Sequence, residues 1–409
     1  MLFNERLQRV TDAIELREPD KVPLMPFFSC AIQRLYGADY KDLFYNFPKG
    51  AEALLKFYKD YPLCDAHACT GSSFTSGISN ELAGSTMIDW PGRPGTKVPN
   101  TSSHQVIEHE YLLPEEYPEL LNDFTGFMIR KYIPRAYSKF GAFSGVKFAP
   151  AIVLNTGFLS PFYSQEMLGA YETLAQIGKR DAEALAAFMD CSAKLEEMGF
   201  PPMMSGVCQA PYDILGDYFR GTIGLMEDLF EHEDHILAAC EMFAQQQIES
   251  LQYLRHSQMP VKRVFFPFHK GMDGFMSPVQ YEKLYWRPLR KIVDALIDMD
   301  VTPYLYTEGR YNTRLEQLAD VPKGKVLYHF ETVDMKEAKR ILGGTACICG
   351  NLPVVMMEYG KKEEVIDYCK YLIDTCAPGG GYIFDFNGLL ENVNRENLDA
   401  MFETLEKYR

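Results

Sequence analysis

Apolar residues along this chain recur in short runs of about four to eight, separated by polar stretches where they return every three or four positions. That alternation predicts strands joined by helices. Residues 3–17, FNERLQRVTDAIELR, carry Leu7, Val10, Ile14 and Leu16 roughly on one side, and predict an amphipathic N-terminal helix. A turn at Pro19-Asp20 leads to an apolar run near 22, and LCDAHACTG supplies a second near 63. Further runs near 203, 263, 302, 325, 346 and 381 bring the number of expected strands to eight. An insertion of about 84–200 follows the second strand. Its first part, 84–134, is broken by Pro, Gly and Ser, whereas 160–198 have helical spacing. From 263 onward each run is followed by a helical segment, ending in NRENLDAMFETLEKY. Alternating strands and helices imply parallel pairing, and eight units imply closure. The expected fold is an α/β TIM barrel, (β/α)8, with an N-terminal helical extension, as a single domain over 1–409.

Composition narrows the function. A net charge of -15 argues against nucleic acid and anionic membranes as partners. Runs such as VLYHF and VFFPF are far too short to span a bilayer. The N-terminus, MLFNERLQRV, has no apolar signal segment, so a cytoplasmic location is expected. The ten cysteines are then reduced thiols, and the absence of CxxC removes zinc-ribbon and thioredoxin-like readings.

The stretch from Val301 to Pro353 concentrates the candidate chemistry. Three runs, TPYLYTEG, KVLYHFE and ACICGNLP, each end in a residue able to bind a metal: Glu308, His329 and Cys349. The steps between them, 21 and 20 residues, match one strand-plus-helix unit. Neighbouring parallel strands lie about 4.8 Å apart, so this spacing predicts a carboxylate, an imidazole and a thiolate around one point at the catalytic end of a barrel. Cys349 and His269, at the end of the preceding strand, are alternatives for the third ligand. Buried cysteines and core histidines are also common without any ion. His67 and Cys69 form an H-x-C pair read as coincidental, the EHEDH cluster at 231–235 as a solvated face, and Cys208 as core. Phe265, Phe268, Tyr304, Tyr306, Tyr328 and Phe330 fall near strand ends, where alternation lets only some face the interior.

Distributed motifs carry a family resemblance. NERLQRVTDAIELREPDKVPLMP resembles the opening helix and "PDRVP" segment of the uroporphyrinogen decarboxylase superfamily. FHKGMDGFMSPVQYEKLYWRPLRKIV resembles its loop with an acid, here Asp273, followed by "SP" and a helix carrying Pro. GGTACICGNLP and APGGGYIFDFNG…RENLDAMFETLEKY resemble its last strands and closing helix. The order of these pieces over nearly the whole chain implies a (β/α)8 barrel.

Departures select a branch. Where the decarboxylases carry an arginine-rich "MRQAGR" segment for a poly-carboxylate porphyrinogen, this chain has LMPFFSCAIQRLYG, and FDFNGLL replaces their terminal "GHG". Many carboxylates cannot be bound without fixed cations, so the resemblance points to the corrinoid-dependent methyltransferases. Many of those hold zinc partly through H-x-C-G, which here reads Tyr306, Thr307, Glu308 and Gly309. The change is similar to the ether-cleaving members, in which a Glu and a His about twenty residues on are thought to bind zinc. The resemblance therefore implies a bound zinc, a methoxylated aromatic substrate, and a corrinoid protein as methyl acceptor. It implies metal ligation by Glu308, His329 and either Cys349 or His269, with Asp273 and Tyr306 as further catalytic residues. Methyl transfer from a corrinoid protein to a thiol, and a non-catalytic small-molecule-binding barrel, are the alternatives. Whether the chain acts as a monomer or a homo-oligomer is left open.

Overall fold

Apolar runs of the C-terminal half form strands and the polar segments between them form helices, as their spacing dictates. A computed structural model describes residues 1–69, 76–148 and 156–409. A small antiparallel pair, β1 (Ile88–Asp89) and β2 (Gln105–Val106), lies in the segment read as an insertion. The main sheet has six parallel strands in chain order: β3 (Gly206–Val207), β4 (Arg263–Phe268), β5 (Thr302–Arg310), β6 (Leu327–Thr332), β7 (Cys347–Cys349) and β8 (Tyr382–Ile383). Extended segments too short to form full ladders link its two edges. Leu24 bridges Phe384 and His67 bridges Pro202, both in parallel, and the Asp65 amide donates to the Leu24 carbonyl at 2.7 Å. Backbone hydrogen bonds thus pass through eight extended segments in a ring, the expected TIM-barrel-type α/β arrangement. The runs near 22 and 63 contribute only bridges. Pro23, Pro26 and Pro62 remove backbone donors there, as do Pro201 and Pro202 on the partner segment.

Period-two alternation divides the side chains between two cores. Met25, Ala66, Met203, Phe265, Tyr304, Tyr306, Leu327, Cys347, Cys349 and Ile383 cluster inside the ring. Their alternate neighbours, among them Leu24, Val264, Phe266, Phe268, Tyr328, Phe330 and Ile348, pack outward against the helices. Of the six aromatic residues at strand ends, Phe265, Tyr304 and Tyr306 are therefore interior, whereas Phe268, Tyr328 and Phe330 belong to the outer layer.

The helix Leu2–Ile14 closes the amino-terminal end of the ring, because its buried Val10, Ala13 and Ile14 join the interior cluster. It is fixed there by ionic contacts. Asp65, fully buried, accepts from Arg9 at 2.5 Å, from Arg409 at 2.8 Å and from the Leu24 amide at 2.8 Å. Arg6 donates to the carbonyls of Gly199 and Pro62. With this end plugged, chemistry is confined to the carboxyl ends of the strands. Helix starts follow capping rules: Asp334 accepts from the amides of Lys336 and Glu337 ahead of Met335–Leu342, and Ser277 forms a capping box with Gln280. The expected 160–198 helix is Gln165–Glu197. Among the described residues no helix is long and apolar enough to cross a membrane.

Removing the carboxylate at the plug leaves the nearly buried Arg409 guanidinium without its ion-pair partner. Asp65→Ala is expected to destabilise the fold by about 3–5 kcal/mol, measured by urea unfolding. A loss under about 1 kcal/mol would show that the plug does not depend on this carboxylate.

Candidate active site

Strand register determines which candidate residues meet. On β5 and β6, Tyr306 is paired with His329, and on β6 and β7, His329 is paired with Cys349. The step of 20 residues from His329 to Cys349 therefore matches the ladder. The step from β5 to β6 is 23 residues, so Glu308 stands two residues beyond the level of His329. A register shift between Thr307 and Arg310 accompanies Gly309 (φ +84°), whose amide donates to the Glu331 carboxylate. Glu308 and Glu331 thus share the rim of the barrel, one layer above His329. The expected meeting of Glu308 with His329 is replaced by two groups, one at the mouth and one inside.

At the mouth, His269 follows β4 at the level of Glu308. Its Nε2 lies 3.7 Å from Glu308 Oε1, while Nδ1 lies 2.5 Å from Asp217 Oδ2. Asp217 also accepts from Gln209 at 2.7 Å and from Lys270 at 2.8 Å. Behind them the fully buried Asp213 takes the amides of His269 and Lys270, each at 2.9 Å, and the Tyr285 hydroxyl at 2.7 Å. Burial pulls the His269 imidazole down, but the hydrogen bond it donates to Asp217 and the charges of Asp213, Asp217 and Glu308 outweigh it and hold it up at about 9. Burial also raises the Glu308 carboxyl to about 7, opposed by His269 and aided by Glu331, Asp213 and Asp217. Near pH 7 the mouth therefore offers an imidazolium beside a carboxyl that is partly protonated.

Inside, His329, Cys349 and Asp385 bring three potential metal donors within 4.8 Å of one another, all fully buried. His329 Nε2 lies 2.6 Å from the Phe386 carbonyl, which only accepts, so that nitrogen carries the proton. The lone pair of Nδ1 then faces the Tyr304 hydroxyl at 3.2 Å and Asp385 Oδ2 at 3.5 Å. Asp385 Oδ1 accepts from the amides of Phe27 and Phe386 at 2.7 and 2.6 Å, and Cys349 Sγ lies 4.0 Å from Oδ2. Burial lowers His329 to about 4, so the ring is neutral. Burial drives the Asp385 carboxyl and the Cys349 thiol well above their ordinary ranges.

This donor set suits a metal. A tetrahedral zinc at about 2.0–2.3 Å from its ligands separates them by about 3.5 Å. The observed spacings need contract by less than about 1.5 Å. Neutral imidazole, thiolate sulfur and carboxylate oxygen are zinc donors, and a carbonyl on the far ring nitrogen is the usual way such a histidine is oriented. Asp385 was not among the residues expected from sequence, although an acid inside the apolar run YIFDF carries the same signal that singled out Glu308.

Of the remaining candidates only Tyr306 lies beside these groups. Asp273 ties its loop to the one that follows β5, accepting from the Thr313 hydroxyl at 2.6 Å and the Thr313 amide at 3.2 Å. Tyr306 is interior, its ring centroid 4.6 Å from that of His329 and 5.9 Å from that of Phe265. The His67 ring accepts from the Cys69 amide, a local contact, and Cys208 donates to Gln247.

Comparisons with known proteins bear on the family and the fold. Residues 158–408 match the family described as uroporphyrinogen decarboxylase (URO-D). No curated protein sequence matches. Among solved structures, a methyltransferase from Methanosarcina mazei superposes with a TM-score of 0.57 at 14% identity, covering 98% of each chain.

The mouth pairing has a titration signature. His269 lies above the unfolded value of about 6.5, so its pairing stabilises the fold in full below about pH 6.5. That contribution is lost as the pH rises through about 9. In Asp217→Asn, burial is left unopposed by the strongest partner, and the His269 midpoint followed by NMR is expected to fall from about 9 to below about 7. An unchanged midpoint would contradict the pairing.

Proposed function

This chain belongs to the uroporphyrinogen decarboxylase (URO-D) family, and on that premise we propose that it is a zinc-dependent methyltransferase. It cleaves a methyl ether of an aromatic compound and passes the methyl group to the cobalt(I) corrinoid of a partner protein. The likeness in fold to a methyltransferase along the full length supports this branch of the family. The acidic mouth, with Glu308, Glu331, Asp217 and Asp213 close together, disfavours a substrate bearing many carboxylates.

The observation that carries the reading is the buried His329, Cys349 and Asp385 group, one layer beneath the Glu308–His269 pair. These three residues would hold the zinc. When bound, the ion supplies Lewis-acid polarisation of the ether oxygen, worth several kcal/mol against a phenoxide whose conjugate acid has a pKa of about 10. The chain's own groups supply the rest. Glu308, raised to about 7, holds a proton that its carboxyl delivers to the departing aryl oxygen. His269, kept charged by Asp217, stabilises the carboxylate left behind. In this reading Glu308 and His269 handle protons rather than the ion. Phe27, Phe265 and Tyr306, in mutual edge and stacked contact, form an aromatic wall suited to an arene ring. A low-valent cobalt nucleophile needs no general base, consistent with a site built to protonate.

Two measurements test this. Purified protein is expected to carry about one zinc, and Asp385→Asn to weaken zinc binding by more than about 100-fold, beyond what loss of an outer-shell partner costs. With a cobalt(I) corrinoid protein and a panel of methoxylated arenes, formation of methylcobalamin followed by absorbance is expected. Glu308→Gln should lower its rate by about 10²–10⁴-fold with zinc content unchanged. Metal-free protein with full activity would overturn the reading.

A further inference from the structure

The helix Gln165–Glu197 buries Met167, Ala170, Cys191 and Leu195 against the body. About 100° round from that face, a second apolar line faces outward: Leu168, Tyr171, Ala175, Gly178, Ala182, Leu185 and Met189, all exposed. Their spacing of three and four residues in strict alternation is the heptad seam by which two helices pack. Among the described residues nothing covers this line. Leu185 and Met189 are 59% and 58% exposed, and a Cβ built on Gly178 meets nothing within 4 Å. A glycine in the middle of a long helix is destabilising in itself, and small residues at a seam let two backbones come close.

The seam is also symmetric about its glycine: large residues at both ends, Ala175 and Ala182 within, and Gly178 at the centre. Turned end for end, it sets Leu168 against Met189, Tyr171 against Leu185 and Ala175 against Ala182. Such self-matching is the property of an isologous two-fold interface, in which one patch meets its own copy. We propose that this helix pairs antiparallel with the same helix of a second copy of the chain, crossing at Gly178. Leu168, Tyr171, Leu185, Met189 and the adjoining Leu174, each roughly half exposed, offer about 600 Å² per copy together with the small residues between them. That is the lower end of a specific interface.

The test uses the full chain. Sedimentation equilibrium is expected to give a dimer at micromolar concentration, and Leu185→Glu to raise its dissociation constant by more than about 30-fold. The altered side chain is exposed, so the melting temperature of the monomer should hold. The ten native cysteines are buried, so introduced thiols report alone. Under air oxidation, in which two thiols give up two protons and two electrons to dioxygen, Gly178→Cys should form a disulfide-linked dimer by itself. Leu168→Cys should form one only when mixed with Met189→Cys. A monomer at tens of micromolar overturns the proposal. So does a dimer in which Gly178→Cys fails to cross-link, which would assign self-association to another face.

Discussion

Hydrogen bonds between β5 and β6 set the level of every side chain that matters here. They pair Tyr306 with His329 and leave Glu308 two residues further along, beside Glu331 and within 3.7 Å of His269. In a parallel ladder a change of two residues keeps a side chain on the same face but moves it by about 6.6 Å along the strand. Glu308 is therefore interior-facing, as a strand-end acid should be, yet above the imidazole rather than beside it.

This vertical separation gives the two groups opposite electrostatics. The mouth is ionic: His269 and Lys270 lie among Asp213, Asp217, Glu308 and Glu331, and opposite charges sustain one another there. The interior group is neutral when no ion is present. Burial has pushed His329 down to about 4 and raised the Cys349 thiol and Asp385 carboxyl. A dication entering that cluster would lower the proton affinity of all three ligands at once, so binding releases protons and tightens with pH. The proposed ether cleavage would draw on both layers, a proton from the mouth and a cation held beneath it.

Much of this was legible in the sequence. The strand-and-helix rhythm after residue 263 identified five of the six strands of the main sheet, because their apolar runs are buried on both faces and bounded by polar turns. His329 and Cys349 were correctly read as neighbours, since one strand-plus-helix unit of 20 residues separates them. The level of Glu308 was not legible, because sequence spacing counts the residues in a loop and not the register of the ladder it joins. Asp385 carries a signal in the sequence, an acid inside the apolar run YIFDF, but its placement among two backbone amides and a histidine comes only from the fold. The short bridges at Leu24 and His67 were read as full strands because hydrophobicity does not register the donors that proline removes.

The central claim is that the metal sits inside, on His329, Cys349 and Asp385, and not at the rim. Anomalous diffraction at the zinc edge from crystals of the purified protein addresses this directly. The account requires a single peak within bonding distance, about 2.0–2.3 Å, of the His329 nitrogen, the Cys349 sulfur and an Asp385 oxygen. A peak between Glu308 and His269, with the interior cluster empty, would contradict it.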